Sequence, residues 1–132
     1  MKSSRSLSLT GILLLAGCSS SPSLNTVNEI QDMAVPVVHA QHATAAENST
    51  VTNCYKDNAT RLSQLQYSLK STMLQDVKPS EIFDTHSDAH RVYTALSKLE
   101  QISAMNETYR KEGNIAGLKA INEMLKPLNA EA

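Results

Sequence analysis

The chain has no tryptophan, one phenylalanine and four tyrosines among its 132 residues. Proteins that hold single-stranded nucleic acid stack bases on aromatic side chains, so this scarcity argues against such a platform. Basic residues are also few, with 12 Lys and Arg against 13 Asp and Glu and a formal net charge of −1. The sequence thus offers no basic patch for phosphate backbones or anionic lipids, and we set nucleic acid aside as a partner.

The sequence also has no motif that assembles a catalytic site. It contains no Gly-rich phosphate loop, no His-Glu-x-x-His zinc helix and no serine nucleophile elbow. Each of these motifs places a reactive group on a defined turn or helix, and nothing else in the chain replaces them. We therefore predict a protein that is not an enzyme and needs no cofactor.

The first residues have the layout of a cleaved export signal. Lys2 and Arg5 give a positive start, residues 9–16 are apolar, and two small residues precede Cys18. This order of charge, apolar run and small residues is typical of a signal peptide. The apolar run is much shorter than the roughly 20 residues that cross a bilayer, which argues against a transmembrane anchor.

The segment Leu15-Ala16-Gly17-Cys18 resembles the lipobox of bacterial lipoproteins. The resemblance implies that the Cys18 thiol receives a diacylglycerol, that residues 1–17 are removed, and that the new amino group is acylated. In enteric-type lipoproteins an aspartate after the cysteine favours the inner membrane, so Ser19 implies delivery to the outer membrane, facing the periplasm. Because each acyl methylene contributes about 0.8 kcal/mol, two or three chains would anchor the protein firmly.

Cleavage after Gly17 leaves 115 of the 132 residues, enough for one small domain, with ten basic and thirteen acidic side chains. Cys54 is then the only cysteine without a lipid, so no disulfide within the chain can form. Three roles stay open for its thiol: a small buried hydrophobe, an intermolecular disulfide in a homodimer, or a reactive group. Catalysis is the least favoured, because no histidine lies near Cys54 in the sequence.

Residues 18–49 are rich in Ser, Ala, Asn and Thr and contain two prolines, which predicts a flexible lipidated tether. A flexible chain of this length places the domain about 30 Å from the membrane. Leu24, Val27, Ile30 and Ala34 fall near helical spacing, so the tether has room for a short helix that Pro36 would stop.

Residues 50–132 have helical periodicity and predict an all-α domain. We expect a first helix from about Val51 to Val77, a second from an N-cap at Ser87 to Gly113, and a shorter third from Asn114. Two long helices joined by a short turn lie antiparallel, with the third across one end of the hairpin. The prediction is a small three-helix bundle.

Two sets of side chains are candidate sites. His86 and His90 are four residues apart, so in one helix both imidazoles would share a face and offer nitrogens to zinc or another transition metal, with Asp84 or an outside residue completing the site. In the alternative interpretation a helix begins within this motif, Asp84 and Asp88 complement its positive end, and the histidines face water.

The second set belongs to the apolar stripe of the first helix. Tyr55, Leu62 and Leu69 either pack in the core or form an interface with a protein partner, because periodicity does not show what covers a stripe.

Three functions are compatible with these observations. The first is an accessory module for an envelope machine, as pilotins are for secretion or pilus channels, an analogy that rests on localisation, size and helical class. A client helix would lie between the two long helices. The second is an entry-exclusion or immunity lipoprotein. The third is a periplasmic metal or stress sensor that uses His86 and His90.

Overall fold

The computed structural model describes residues 23–39 and 43–129, and within them it contains helices and no strands. The all-α prediction is therefore confirmed. The helices are α1 (Leu24–Asp32), α2 (Asn48–Met73), α3 (Pro79–Ile82), α4 (Asp88–Glu112) and α5 (Ile115–Asn129), and a 3₁₀ turn at Ala45–Glu47 precedes α2. None of the described helices is long and apolar enough to cross a membrane.

The long helices α2 and α4 form the predicted hairpin, and both predicted ends of α4 are correct. The Ser87 hydroxyl accepts the His90 backbone N–H at 3.0 Å, an N-cap interaction that satisfies one of the free donors of the first turn. At the other end Gly113 has φ of 65°, the left-handed conformation that closes many helices.

Helix α2 ends at Met73, four residues before the predicted Val77, and the connection to α4 contains an unpredicted helix. Asp76 has φ of 65°, which a short polar side chain tolerates better than most, and this residue turns the chain away from the helix axis. Pro79 then starts α3, where its fixed φ suits the first helical position.

Helix α5 lies along the first half of α2 rather than across the end of the hairpin as predicted. The Asn58 Nδ2 atom donates to the Leu118 carbonyl at 3.0 Å, and Asn122 Nδ2 donates to Asp57 Oδ2 at 2.6 Å. The apolar stripe expected for this helix is Ile115, Leu118, Ile121, Leu125 and Leu128, and all of these except the half-buried Ile115 are buried. A side-by-side arrangement covers this whole stripe, whereas a crossing would cover only part of it.

The part of the predicted tether that forms α1 belongs to the bundle. The anticipated short helix is present, and Val27 and Ile30 are fully buried in the common core. Ser23 caps this helix through its hydroxyl, which accepts the Thr26 N–H at 3.2 Å. The prediction of a flexible tether is corrected for α1 alone, because burial of its two aliphatic side chains fixes this helix to α4, and residues 18–22 lie outside the described part of the chain.

After α1 the chain runs extended along α4 towards the C-terminal end of that helix. Lys98 Nζ donates to the Met33 carbonyl at 2.7 Å, and further along α4 the Tyr109 hydroxyl donates to the Pro36 carbonyl. Helix α1 itself packs against α4.

Helices α1 and α5 pack on the hairpin in different ways, α1 against α4 and α5 against both α2 and α4. The 15-residue α5 is about 22 Å long and α2 is about 39 Å long, so α5 cannot cover the whole length of the hairpin. Leu69, Val92 and Ala95, in the part of the hairpin near the connection, are nevertheless buried. Val27 and Ile30 of α1 belong to the same buried cluster.

Candidate functional site

Cys18, the predicted lipid attachment point, lies outside the described residues, so its lipidation stays a prediction. The first described residue is Ser23, the N-cap of α1, and four residues separate it from Cys18. An extended chain spans at most 3.3–3.6 Å per residue, which places Ser23 within about 18 Å of Cys18. The distance is shorter than the predicted tether because α1 is part of the bundle.

The two histidines of the predicted metal site do not share a helix face. Helix α4 begins at Asp88, so His86 lies in the preceding turn, where its side chain is 94% exposed. His90 lies in the first turn of α4, with Nδ1 2.8 Å from the Ile82 carbonyl oxygen. Across the described ranges no group of three or more His, Cys, Asp or Glu side chains is arranged to hold a metal ion.

The predicted interaction stripe is divided between core and surface. Leu62 and Leu69 are 2% and 0% exposed, so both belong to the core and neither presents a surface to a partner. Tyr55 is half-buried. The interface interpretation of the two leucines is therefore wrong for the folded chain, because α4 and α5 already cover this side of α2.

Tyr55 belongs to a charged cluster between α2 and α4. Its hydroxyl donates to the Glu107 carboxylate, and the Arg110 guanidinium lies 5.1 Å from the centre of its ring and 2.9 Å from Glu107. The bond to Glu107 raises the pKa of Tyr55, and bonds from Arg110 and then Tyr55 lower the pKa of Glu107. Near neutral pH the cluster thus holds a neutral phenol beside an ion pair.

A buried amide network, which the sequence analysis missed, joins α2, α4 and α5. Asn58 Nδ2 donates to Asn106 Oδ1 at 2.9 Å, Asn122 Nδ2 donates to Asn58 Oδ1 at 3.0 Å, and Asn106 Nδ2 donates to the Tyr55 carbonyl at 3.2 Å. Asn58 and Asn106 are almost fully buried. Both residues lie within apolar stripes of the sequence. This position was the available signal for the network, since a polar side chain buried in a core needs hydrogen-bond partners.

A second missed feature, which we call the clasp, consists of Tyr109 and Asn114 and holds the extended segment. The Tyr109 hydroxyl donates to the Pro36 carbonyl and accepts the Val38 N–H at 3.0 Å, while Asn114 Nδ2 donates to the Val38 carbonyl at 3.1 Å. Asn114 Oδ1 also accepts the Gly117 N–H at 3.0 Å and so caps α5. The turn between α4 and α5 thereby fixes a segment more than 70 residues earlier in the chain.

The clasp depends on a glycine in α5. A Cβ atom on Gly117 would lie 2.5 Å from Tyr109 Cδ2, closer than real contacts allow. Gly117 therefore provides the space in which the Tyr109 ring packs flat against α5. A glycine inside an amphipathic helix was the sequence signal for this close approach.

The connection between the long helices is ordered and carries an exposed phenylalanine. Glu81 Oε1 accepts the Lys78 N–H at 3.0 Å, and the Ser87 hydroxyl donates to the carbonyls of Asp84, at 2.9 Å, and Glu81. Phe83 lies between these contacts and is 80% exposed.

Cys54 is partly exposed on α2. Burial and then the nearby Asp57 raise the pKa of its thiol, while Lys119 acts in the opposite direction. A raised pKa reduces the thiolate fraction and so slows thiol chemistry. The Cys54-linked homodimer stays a prediction.

No protein-family model, no curated protein and no solved structure matches this chain.

Proposed function

We propose that this chain is an outer-membrane lipoprotein whose helical bundle is a protein-binding accessory module on the periplasmic side, serving a secretion or pilus channel. The observation that supports the proposal is the segment at residues 15–18, which resembles a lipobox and is followed after four residues by the N-cap of a packed helix. A lipid on Cys18 would keep the bundle next to the membrane in which such channels assemble.

The bundle limits where a client can bind. The groove between α2 and α4, where a client helix was predicted to lie, is occupied by α5, which contacts both helices. A client must therefore use outer surfaces, and Tyr67 and Tyr93 are the large exposed tyrosines of the hairpin, at 74% and 49% exposure. Exposed aromatic side chains are favoured at protein interfaces because they bury much area for little lost conformational freedom.

The lipid anchor is tested on the N-terminal peptide of the protein purified from membranes. We expect a peptide that begins at Cys18 and carries the mass of a diacylglycerol and a further acyl chain. Cys18→Ala should move the protein out of the membrane fraction, whereas Cys54→Ala, the matched control, should leave it there. An unmodified N-terminus, or a Cys18→Ala variant that stays in the outer membrane, would contradict the proposal.

The client is tested by crosslinking in cells that express the lipidated protein, followed by purification from the outer membrane and mass spectrometry. We expect one dominant partner from a secretion or pilus apparatus, and its recovery should fall in a Tyr67→Ala, Tyr93→Ala variant that retains the helical signal. Recovery of the protein alone, or only as a Cys54-linked dimer, would exclude the accessory role.

A further inference from the structure

We infer that the membrane-facing end of the bundle is the connection formed by residues 74–87, and that Phe83 contacts the lipid surface there. The inference rests on the proposed function in one respect, since it takes Cys18 as the lipidated residue. It adds an orientation: one named end of the hairpin faces the bilayer and the opposite end faces away.

The first step is the length of chain between the lipid and the fold. Cys18 and Ser23 are five residue steps apart, so Ser23 lies within about 18 Å of the lipid-bearing atom even when the chain is fully extended. Helix α4 is about 37 Å long. The lipid therefore cannot hold both ends of an upright bundle equally close, and the end that carries Ser23 is the membrane-proximal end.

The second step is which end carries Ser23. After α1 the chain passes the carbonyl contact between Met33 and Lys98 and then the one between Pro36 and Tyr109, so it travels towards the C-terminal end of α4. Helix α1 packs on α4 and ends beside Lys98, so its nine residues fit along the part of α4 that precedes Lys98. Ser23, at the first end of α1, therefore lies on the side of the 74–87 connection.

The third step is the exposed apolar side chain at this end. Phe83 is the only phenylalanine of the chain, and its side chain is 80% exposed. The hydrogen bonds of Ser87 and the contact of His90 with the Ile82 carbonyl order the backbone on both sides of it. An ordered loop loses little conformational entropy when it presents an aromatic ring to an interface.

Charge at this end excludes attraction to anionic lipid as the cause of the orientation. The connection and the first turn of α4 carry four acidic and two basic side chains: Asp76, Glu81, Asp84, Asp88, Lys78 and Arg91. Such an end is weakly repelled by anionic headgroups. The short covalent attachment and the aromatic side chain must therefore supply the orientation, and zwitterionic vesicles are the appropriate surface for the test.

The absence of tryptophan provides a direct experiment. Phe83→Trp and Val37→Trp each place a single tryptophan at an exposed apolar position, 80% and 84% exposed, one at the connection and one on the extended segment near the opposite end. Each variant is made with Cys54→Ser in the chain from Cys18 onward. The Cys18 thiol is coupled to a maleimide lipid in phosphatidylcholine vesicles that contain brominated acyl chains, and the helical signal confirms folding.

We expect brominated lipid to quench the Phe83→Trp fluorescence several-fold more than the Val37→Trp fluorescence. Equal quenching, stronger quenching at position 37, or no quenching at either position of vesicle-bound protein would overturn the inference. A Gly/Ser insertion of about 20 residues after Ser21 adds roughly 25 Å of reach and should reduce the quenching at position 83. Unchanged quenching in that variant would overturn the short attachment as its cause.

The outcome is separable from that of the proposed function. Because the lipid is coupled chemically, this experiment reports orientation whether or not cells modify Cys18. An unmodified Cys18 in cells would contradict the proposed function. Quenching that is not stronger at position 83 than at position 37 would contradict only the orientation.

Discussion

The side-chain amides of Asn58 and Asn106 meet inside the bundle, with Asn58 Nδ2 2.9 Å from Asn106 Oδ1. The two residues lie on opposite helices of the hairpin, and Asn58 also contacts Leu118 and Asn122 of α5. A buried amide is stable only when its hydrogen bonds are satisfied, and shifting one helix by a turn would break all of these bonds. The network therefore selects one alignment of three helices that apolar packing alone would leave less defined.

Asn58→Ala should lower the free energy of unfolding by about 2–4 kcal/mol, because it leaves Asn106 Oδ1, the Leu118 carbonyl and an Asn122 donor short of a partner. Urea unfolding followed by circular dichroism measures the change. Asn122→Ala is the matched control at the half-exposed rim of the network and should lower the unfolding free energy by no more than about 1.5 kcal/mol. Equal losses in the two variants would contradict the proposed importance of burial.

Gly117→Ala should destabilise the fold by about 1–3 kcal/mol, although alanine is the better helix former by about 1 kcal/mol. The reason is the Tyr109 ring, 2.5 Å from the position of the new Cβ. In a Tyr109→Leu background the same substitution should become neutral or stabilising, as thermal or urea unfolding of the four proteins would show. A stabilising effect in the wild-type background would mean that the ring is not held against α5.

Tyr109→Phe should release the extended segment while the hairpin stays folded. The substitution removes the hydroxyl that contacts both the Pro36 carbonyl and the Val38 N–H, a loss of about 0.5–1.5 kcal/mol per hydrogen bond. Amide hydrogen exchange at Val38 should be faster in the variant than in the wild type, while exchange in the core of α4 should stay the same. Tyr93→Phe, at an exposed position of the same helix, is the control. It should change neither the stability nor the hydrogen exchange at Val38.

Leu69→Ala should destabilise the protein by about 2–5 kcal/mol, the range for truncation of a buried leucine. Tyr67→Ala, two residues away on the exposed side of α2, should stay within about 0.5 kcal/mol of the wild type. The comparison by chemical unfolding separates core from surface within one helix. A small effect of Leu69→Ala with a large loss of client binding would restore the interface interpretation of the stripe.

Stability should fall as the pH drops through the acidic range. Burial acts to raise the pKa of Asp57, but hydrogen bonds from Arg61 and Asn122 outweigh it and the pKa is lowered from 3.8, and Arg110 lowers the pKa of Glu107 from 4.5. The unfolded chain then binds more protons than the folded chain, so this contribution is present above the unfolded pKa values and is lost below them. Unfolding midpoints from pH 7 to 3 should fall less steeply for Asp57→Asn than for wild type, and an identical slope would contradict this assignment.

The amphipathic pattern was enough to predict the hairpin and both ends of α4. The stripes of α4 and α5 are buried as expected, and the Ser87 and Gly113 caps lie where their side chains predicted. These features depend on neighbours within a few residues, so the sequence contains the information they need. The end of α2 was less predictable, because a left-handed Asp76 is one of several ways to leave a helix.

The candidate sites were harder to predict because they depend on what packs against each helix. His86 and His90 have helical spacing, yet the helix begins between them at Asp88. Leu62 and Leu69 lie on a stripe that suits a core or an interface equally well until its cover is known. The buried network of Asn58 and Asn106 needs two stripes to face each other across the bundle, a relation that no single stripe contains.

The sequence by itself determined the helical class, the hairpin, the export signal layout and the resemblance to a lipobox, since each is written in local spacing. Only the tertiary structure decided that α1 belongs to the bundle and that Tyr109 fixes the segment behind it. The physical reason is distance along the chain. Val27 and Ile30 look like a weak local pattern, and they become part of the fold only when α4 and its neighbours present an apolar surface for them to cover.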